Sequence, residues 1–234
     1  MSNTLSVYRR ENKYILPASD ISNLKFSLDK ILERDKHSNK NSYIVRSLYF
    51  DSPNNIDFNT KLAGVEVRKK IRLRTYDYKS NKCKLEMKQK NGDLQHKISI
   101  WISKEDAEEL INKNYSVLLN YSDNKDAILF YTTMMTGCYY PVALIEYDRI
   151  AYTYPLNNTR ITIDMNVRSN ESNFDLFAEK PIYNYVICND IVLEVKYDGE
   201  LLKFISNVLN KYKLNRVSVS KYCFGRKIFY DFNF

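Results

Sequence analysis

Two neighbouring stretches of this 234-residue chain alternate between polar and apolar side chains: RKKIRLRTY at residues 68–76 and KCKLEMKQK at residues 82–90. A period of two is typical of β-strands, in which side chains at i and i+2 lie on the same face. The apolar positions form one face, and the other face carries Arg68, Lys70, Arg72, Arg74, Lys82, Lys84, Glu86, Lys88 and Lys90. The pattern predicts two strands with a strongly basic face, which a hairpin would bring together.

Further stretches repeat this combination of one apolar and one charged face. They lie near residues 9–13, 160–168 and 191–197, and their charged faces mix both signs. Two folds fit the pattern. One is a sandwich or half-open sheet whose charged face lies in water. The other is a closed barrel with a polar lumen and helices over its apolar outer face. Charged faces that recur on strands far apart in the sequence support the barrel, but the pattern alone leaves both folds open.

Helical signals are few. Apolar residues recur at helical spacing over residues 21–32, 128–135 and 201–209, and Ser103 begins a capping-box-like start of a helix that runs to about Asn112. Segments rich in Asn, Ser and Lys near residues 35–42, 52–60, 77–82 and 168–175 are predicted loops. The expected fold class is therefore α+β, mostly β.

The chain is basic, with 36 Lys and Arg against 28 Asp and Glu, a net charge of +8. Such an excess favours a polyanionic partner, whether nucleic acid, an anionic membrane surface or a phosphorylated small molecule, unless it is only a basic surface. No apolar run approaches the roughly 20 residues that span a bilayer, and the polar N-terminus lacks the apolar region of a signal peptide. A cytoplasmic location is therefore expected.

Common catalytic signatures are absent from the sequence. The five glycines are too far apart for a Walker-type phosphate loop or a dinucleotide fingerprint, and no GxSxG motif accompanies the two histidines. The four cysteines form no CxxC pair. If the protein handles phosphates, it must do so with side chains rather than with a glycine-rich loop.

Several short motifs, in order along the chain, carry a family resemblance. They are RRENKY at residues 9–14, SLYFDS at 47–52, IRLRTY at 71–76, LEMK at 85–88, EYDR at 146–149, RITID at 160–164, LEVK at 193–196 and SKY at 220–222. Together they resemble the bacterial polyphosphate polymerase domain, which is related to the catalytic domain of the fungal vacuolar transporter chaperone (VTC) complex. The wider group is the triphosphate tunnel metalloenzymes. The matches run from residue 9 to about residue 226.

The resemblance implies one VTC-type domain over residues 1–234, folded as an eight-stranded antiparallel closed β-barrel, the triphosphate tunnel, with helices packed outside. It also implies a ligand, ATP, triphosphate or a polyphosphate chain, lying inside. Nucleic acid is then not the expected partner. Because the chain has no membrane-spanning run, any association with a membrane would have to occur through a partner.

The candidate site residues follow from charge, strand phase and the resemblance. One Arg guanidinium can bind two phosphate oxygens at once in a bidentate contact, and Lys acts as a point charge. The predicted catalytic cations are Lys13, Arg72, Arg74, Lys88, Arg149 and Lys221. Predicted substrate-binding residues are Arg9, Lys97, Arg160, Lys196, Tyr14 and Tyr222, the two tyrosines either stacking on a base or forming an aromatic wall. The resemblance makes Glu194 the first metal ligand, with Glu86 and Glu11 either holding metal or orienting cations, and Mn²⁺ or Mg²⁺ fits such oxygen ligands.

One departure from the family pattern concerns the reaction. The fungal family carries a second lysine three residues before its closing SK motif, but here the position is Ser218, with Arg216 and Arg226 nearby as substitutes. We therefore keep three hypotheses: a polyphosphate polymerase, a tripolyphosphatase or nucleoside triphosphatase using the same residues, and a non-catalytic polyanion-binding module. Carboxylates such as Glu86 and Glu194 argue against the third, because a pure anion binder gains little from them.

Overall fold

The computed structural model describes residues 9–38, 42–92, 94–187 and 189–230. The strands in these ranges are β1 (Arg9–Pro17), β2 (Glu33–Arg34), β3 (Tyr43–Asp51), β4 (Arg68–Thr75), β5 (Lys82–Asn91), β6 (Leu94–Ser103), β7 (Tyr140–Tyr154), β8 (Thr159–Asn170), β9 (Asn184–Ile187) and β10 (Asp190–Asp198). The helices are α1 (Ile21–Asp29), α2 (Ile56–Leu62), α3 (Lys104–Ile111), α4 (Lys125–Thr136), α5 (Lys203–Leu209) and α6 (Lys221–Tyr230). The α+β, mostly β, class is confirmed.

The hydrogen-bonded strand order does not confirm the predicted barrel closure. The main path contains eight strands, in the order β1-β10-β8-β7-β3-β4-β5-β6, with β2 paired to β7 and β9 paired to β8. A closed barrel requires a ladder between the first and last strands. Within the described ranges no ladder joins β1 to β6, so closure by backbone hydrogen bonds is not part of this sheet.

The chain divides into two compact units. Unit 1 comprises Met1–Ile44, Tyr147–Val167 and Ile187–Val219, and unit 2 comprises Val45–Glu146, Arg168–Val186 and Ser220–Phe234. The prediction of one domain over residues 1–234 stays a prediction.

Unit 1 is built on β1, β10 and β8. Strand β1 pairs antiparallel with β10 over its whole length, from Arg9 opposite Asp198 to Pro17 opposite Asp190. Strand β10 continues onto β8, where Glu194 lies opposite Thr162. The core of this unit joins one face of these strands to α1 and α5, through Leu24, Leu28, Ile163, Leu193, Ile205 and Leu209.

Unit 2 is built on β3, β4, β5 and β6, paired antiparallel in sequence order. Alternate side chains of these strands are buried in the core with side chains of α3 and α4: Leu48, Ile71, Leu73, Leu85, Ile100, Leu110 and Phe130. The opposite alternation is charged. The period-two prediction for residues 68–76 and 82–90 is therefore confirmed, and the helices cover the apolar face because it must leave water.

The structure corrects the sequence interpretation at two helices and one strand. Residues 52–60, predicted as a loop, contain the start of α2, and α6 was not predicted. In β8 the predicted alternation over residues 160–168 is broken at Asn166, where φ is 52°. Asp164 pairs with Arg149 but Arg168 pairs with Glu146. Positions 146 and 149 face opposite sides of β7, so Arg168 does not share the face of Asp164.

Candidate functional site

Strands β4, β5 and β6 of unit 2 present a surface that we call the basic face. Opposite residues form cross-strand rows, such as Lys70, Lys88 and Lys97, or Arg72, Glu86 and Ser99. Among the described residues of these strands, this face carries one acidic side chain, Glu86, and nine basic ones: Arg68, Lys70, Arg72, Arg74, Lys82, Lys84, Lys88, Lys90 and Lys97. Four of the predicted phosphate ligands, Arg72, Arg74, Lys88 and Lys97, thus share one surface.

Glu86 organises the centre of the basic face. Its carboxylate is 2% exposed and accepts hydrogen bonds from Arg72 Nε at 2.8 Å and from Lys97 Nζ, with Arg74 Nη1 3.5 Å away. Burial raises the pKa of this carboxyl, but the three cations together outweigh burial and hold the pKa well below its usual range. Of the two roles predicted for Glu86, this geometry favours orienting cations over binding metal.

Tyr49 of β3 adds a polar group that the sequence interpretation missed. It lies directly opposite Arg72, whose Nη1 donates to the Tyr49 hydroxyl at 2.9 Å. Burial of the phenol raises its pKa, yet the nearby cations Arg72, Arg74 and Lys70 outweigh burial and lower the pKa to about 8. The position opposite Arg72 depends on the pairing of β3 with β4, which no local pattern reveals.

The SKY segment at residues 220–222 is anchored beside the basic face. Lys70 Nζ donates to Ser220 Oγ at 2.7 Å, and the Tyr222 ring stacks on the Tyr49 ring with centroids 4.9 Å apart. Lys221, the first residue of α6, therefore lies between two anchored neighbours. Tyr222 is 1% exposed, so the structure favours the packing role predicted for it over stacking on a nucleotide base.

The anchor of Tyr222 is Asp51, at the end of the YFD motif. The Tyr222 hydroxyl donates to Asp51 Oδ2 at 2.5 Å, and the same carboxylate accepts from the backbone amides of Asp57 and Phe58 in the first turn of α2. A carboxylate stabilises this end of a helix because the amides there have no partner within the helix. Two motifs whose bonded residues are 171 positions apart are thus joined by one buried carboxylate.

Strands β1, β10 and β8 of unit 1 present a second polar surface, which we call the mixed face. Lys13 lies opposite Glu194, and Glu11 lies opposite Lys196. Positive and negative charges therefore alternate both along each strand and across the strand pair. Lys13 Nζ is 3.0 Å from Glu11 Oε1, and Lys196 Nζ is 2.5 Å from Glu194 Oε1. The mixed face therefore brings together two of the predicted metal ligands and two of the predicted cations.

Arg149 belongs to the same unit and is held by Asp164. Its Nε and Nη2 donate to the two carboxylate oxygens at 2.6 and 2.8 Å, a bidentate pair that fixes the guanidinium plane. Burial lowers the pKa of Arg149, but Asp164, with smaller contributions from Tyr147 and Glu194, raises it well above the ordinary value. Arg149 thus remains a fixed cation.

The remaining predicted residues of unit 1 have different surroundings. Arg160 Nη2 donates to Asp35 Oδ2 at 2.7 Å, and Arg9 is the first residue of β1, with its backbone opposite Asp198. Tyr14 packs against the core of unit 1. It is adjacent to Lys13 in the strand and so faces the opposite side. The substrate-binding role of Tyr14, as a base-stacking or aromatic-wall residue, stays a prediction.

The carboxylates fit a metal ion only if phosphate oxygens and water complete its coordination shell. The described residues contain no group of three or more His, Cys, Asp or Glu that could hold a metal ion. Magnesium sites in phosphoryl-transfer proteins commonly use one or two carboxylates and complete the coordination shell with phosphate oxygens and water. Glu194 and its diagonal neighbour Glu11 match that donor set. Glu86 does not, because three cations already occupy its oxygens.

A sequence model of the VTC domain matches residues 8–230, nearly the whole chain. The chain belongs to the VTC domain family. This membership confirms the resemblance that the ordered motifs indicated. No curated protein sequence matches this VTC domain.

Solved structures share the fold of this VTC domain at low sequence identity. HpAC1 from Hippeastrum, a candidate adenylyl cyclase described as having a dominant triphosphatase activity, has a TM-score of 0.55 and 14% identity over 93% of this chain and 94% of its own. A candidate adenylate cyclase from Bacillus halodurans has a TM-score of 0.52 and 12% identity over 91% and 95%. In the described residues, no helix is both long and apolar enough to cross a membrane.

Proposed function

We propose that this VTC domain is a divalent-metal-dependent polyphosphate polymerase, which transfers the terminal phosphoryl group of ATP to a growing polyphosphate chain. The observation that carries the proposal is the basic face, whose described residues include nine cations and one acidic side chain. A line of phosphate groups is the ligand that fits the net positive charge and the cross-strand rows of this face.

The basic face also fits the chemistry of phosphoryl transfer. The protein contributes mainly by positioning the phosphates and neutralising their oxygens, and donors fixed beforehand contribute most. Glu86 and the Tyr49 hydroxyl hold the Arg72 guanidinium from two sides. Arg74 is oriented by Ser47 Oγ at 3.2 Å. We assign these two arginines, with Lys88, Lys97 and Lys221, to the phosphate groups.

We assign the metal to the mixed face. Glu194 would hold the ion first and Glu11 second, and the ion would supply positive charge that offsets the charge of phosphate oxygens. Mn²⁺ and Mg²⁺ both suit these oxygen ligands. Lys13 and Lys196 lie beside the two carboxylates, and Arg149 is held by Asp164. We assign these three cations, with Arg9 and Arg160, to substrate oxygens.

Hydrolysis of the same triphosphates is a second candidate, favoured by the region before the SK motif. Ser218 is exposed and carries no charge. Of the two nearby arginines, Arg226 is buried against Glu171 and donates to Asn55, whereas the backbone of Arg216 forms an isolated β-bridge with that of Tyr14. One fewer cation to guide a long polyanion favours water as the acceptor.

Product analysis distinguishes the two reactions. The protein is incubated with ATP and Mn²⁺ or Mg²⁺, and the products are resolved on a gel. A ladder of polyphosphate supports the polymerase, and free phosphate without a ladder supports the hydrolase. Absence of both would contradict an enzymatic function and leave a polyanion-binding module.

A separate variant tests the assignment of the metal to Glu194. Glu194→Gln should abolish divalent-dependent turnover and leave the fold and most triphosphate affinity intact, because the cations of the basic face remain. Far-ultraviolet circular dichroism and tripolyphosphate binding serve as the controls. Undiminished turnover in this variant would remove Glu194 from the mechanism.

A further inference from the structure

A cavity of about 590 Å³ lies in unit 2, lined by residues of α2 and by residues at the adjoining ends of β4, β5 and β6. Its volume is within the usual range of roughly 300–1,000 Å³ for small-molecule sites. The proposed function does not use this cavity, so its lining has to be explained separately.

The side of the sheet that packs against the helices becomes polar at this cavity. One cross-strand row on that side is buried and apolar, with Ile71, Met87 and Ile98. The next row consists of Lys69, Gln89 and His96, which all line the cavity. By strand parity this polar row lies on the side of the sheet opposite to the basic face. It therefore forms a group separate from the proposed phosphate ligands.

Asp57 of α2 is a buried carboxyl group in the lining of the cavity. The residue is 2% exposed, and its Oδ2 accepts a hydrogen bond from the Tyr139 hydroxyl at 3.0 Å. In the hydrogen bonds that the described residues form, the second oxygen, Oδ1, accepts none. Because a buried acceptor without a donor is costly, Oδ1 indicates a hydrogen-bond donor on a molecule bound in the cavity.

Lys69 provides a positive charge near Asp57. Burial first, and then the neighbouring Asp51, raise the pKa of Asp57 to about 7, against the opposing effect of Lys69. Lys69 Nζ lies 5.3 Å from the centre of the Tyr139 ring, and in the described part of the chain it has no hydrogen-bond acceptor. An ammonium group has three donors to offer, so Lys69 can bind the anionic group of a ligand.

The overall charge of the cavity also favours an anion. Among its described lining residues, Lys69, Arg68 and Lys90 are basic and Asp57 is the one acidic residue. A ligand that matches this lining carries negative charge and, for Asp57, at least one donor.

We propose that this cavity binds a small hydroxylated anion, whose hydroxyl donates to Asp57 and whose carboxylate or phosphate group accepts from Lys69. The aliphatic side chains of Ile56, Val67 and Leu94, which are 52%, 65% and 77% exposed, would cover its carbon skeleton. The site goes beyond the proposed function and does not require the basic face to bind triphosphate.

Two pairs of ligands test the site: L-malate against succinate, and glycerol 3-phosphate against propyl phosphate. The members of each pair have equal charge, and only the first carries a hydroxyl. Calorimetric titration at pH 8, where Asp57 is mostly ionised, should show about tenfold tighter binding of the hydroxylated member in at least one pair. The pair that shows this difference identifies the anionic group as a carboxylate or as a phosphate ester.

Two variants locate the binding. Lys69→Gln should lower the affinity for the hydroxylated anion about tenfold, because the anion loses its ammonium partner. Thr60→Trp should also lower it by filling the cavity. The matched control is Lys113→Gln, which removes another lysine that lies over a tyrosine ring, 5.8 Å from the centre of Tyr140, but outside the cavity lining. It should leave the affinity unchanged.

Tripolyphosphate binding separates this site from the basic face. Lys69→Gln should leave the affinity for tripolyphosphate unchanged, and Arg72→Ala should leave that for the hydroxylated anion unchanged. Equal binding within both ligand pairs, or an unchanged affinity in both cavity variants, would overturn the site. A parallel loss of both affinities in Lys69→Gln would also overturn it, because the anion would then bind to the same surface as tripolyphosphate.

Discussion

Glu86 and its three cations show how a single buried residue organises the basic face. Glu86→Gln should destabilise the protein by about 3–5 kcal/mol, the usual cost of removing one partner of a buried ion cluster. Chemical denaturation measures this change. Glu108→Gln is the matched control, because Glu108 forms an exposed pair with Lys104 at 3.7 Å and should contribute at most about 1 kcal/mol. Equal effects of the two substitutions would contradict the organising role.

The stabilisation from Glu86 should also depend on pH. Its pKa in the folded protein is lowered below the ordinary value of 4.5. The unfolded chain therefore binds this proton first as the pH falls. The contribution is complete above the ordinary pKa and is lost at lower pH, so the parent and Glu86→Gln should converge in stability in acid.

Tyr49 provides a titration that reports on the same cations. Its pKa of about 8 lies below the ordinary 10.0, so the folded protein releases this proton before the unfolded chain does. Ionisation of Tyr49 should therefore increase stability as the pH rises from 8 to 10. The ultraviolet absorbance of tyrosinate should show a step near pH 8 that is missing in Tyr49→Phe.

A bound anion should shift this titration. Tripolyphosphate on the basic face offsets Arg72, Arg74 and Lys70, so the midpoint for Tyr49 should rise toward 10. An identical midpoint with and without tripolyphosphate, at a concentration that saturates binding, would place the anion elsewhere.

Strand parity predicts part of the site from the sequence and fails where distant elements meet. It places Arg72, Arg74 and Glu86 on one face, as the strand register has them. Parity also places Tyr14 and Lys13 on opposite faces of β1. The contact of Tyr49 with Arg72 depends on the alignment of two strands, which a local pattern does not contain.

Helix α6 is an element whose position, like the contact of Tyr49 with Arg72, cannot be predicted from a local sequence pattern. Its position depends on Tyr222 meeting Asp51 across 171 residues, and on Lys70 meeting Ser220. Helix α2 likewise depends on the Asp51 carboxylate at its first turn. Neither helix has the long apolar periodicity that predicted α1, and the contacts that stabilise them are tertiary.

Gly225 tests how closely α6 packs. A Cβ atom at this position would lie 2.9 Å from Ile145 Cδ1 and 3.1 Å from Ser169 Cβ, both of buried residues. In an exposed helix the change to Ala gains up to about 1 kcal/mol. Here overpacking should dominate and Gly225→Ala should cost about 1–3 kcal/mol in thermal or chemical unfolding.

The control for this packing prediction is Thr132→Ala on the exposed surface of α4, where helix propensity alone should give a small gain. A gain in stability from Gly225→Ala as well would show that α6 is packed more loosely than the contacts around Gly225 indicate.

At the scale of the whole molecule, the net charge is concentrated on one surface. Of 36 basic and 28 acidic residues in the sequence, the basic face holds nine and one, so the remainder balances at 27 each. The excess of +8 that first indicated a polyanionic partner is thus equal to the charge of this one face. The strand register thus locates the charge that led us to expect a polyanionic partner.

The predicted fold class, α+β and mostly β, is confirmed, whereas the predicted closure of the sheet into a barrel is not. Eight strands on one path and helices over the apolar alternations agree with the expectation from the motifs. Whether the first and last strands pair depends on the tilt and stagger accumulated over the whole sheet, and no single motif encodes these quantities.

The central claim is that the basic face binds triphosphate through its arginines, and calorimetric titration of a non-hydrolysable ATP analogue at two salt concentrations tests it most directly. Charge-assisted bonds to buried phosphate contribute roughly 1.5–3 kcal/mol each, so Arg72→Ala and Arg74→Ala should each weaken binding by about tenfold to a hundredfold. Lys180→Ala, which removes an exposed cation outside the face, should have little effect, and that effect should fade with salt. If both arginine variants bind the analogue as tightly as the parent does, this VTC domain has the family's fold without a triphosphate site on its basic face.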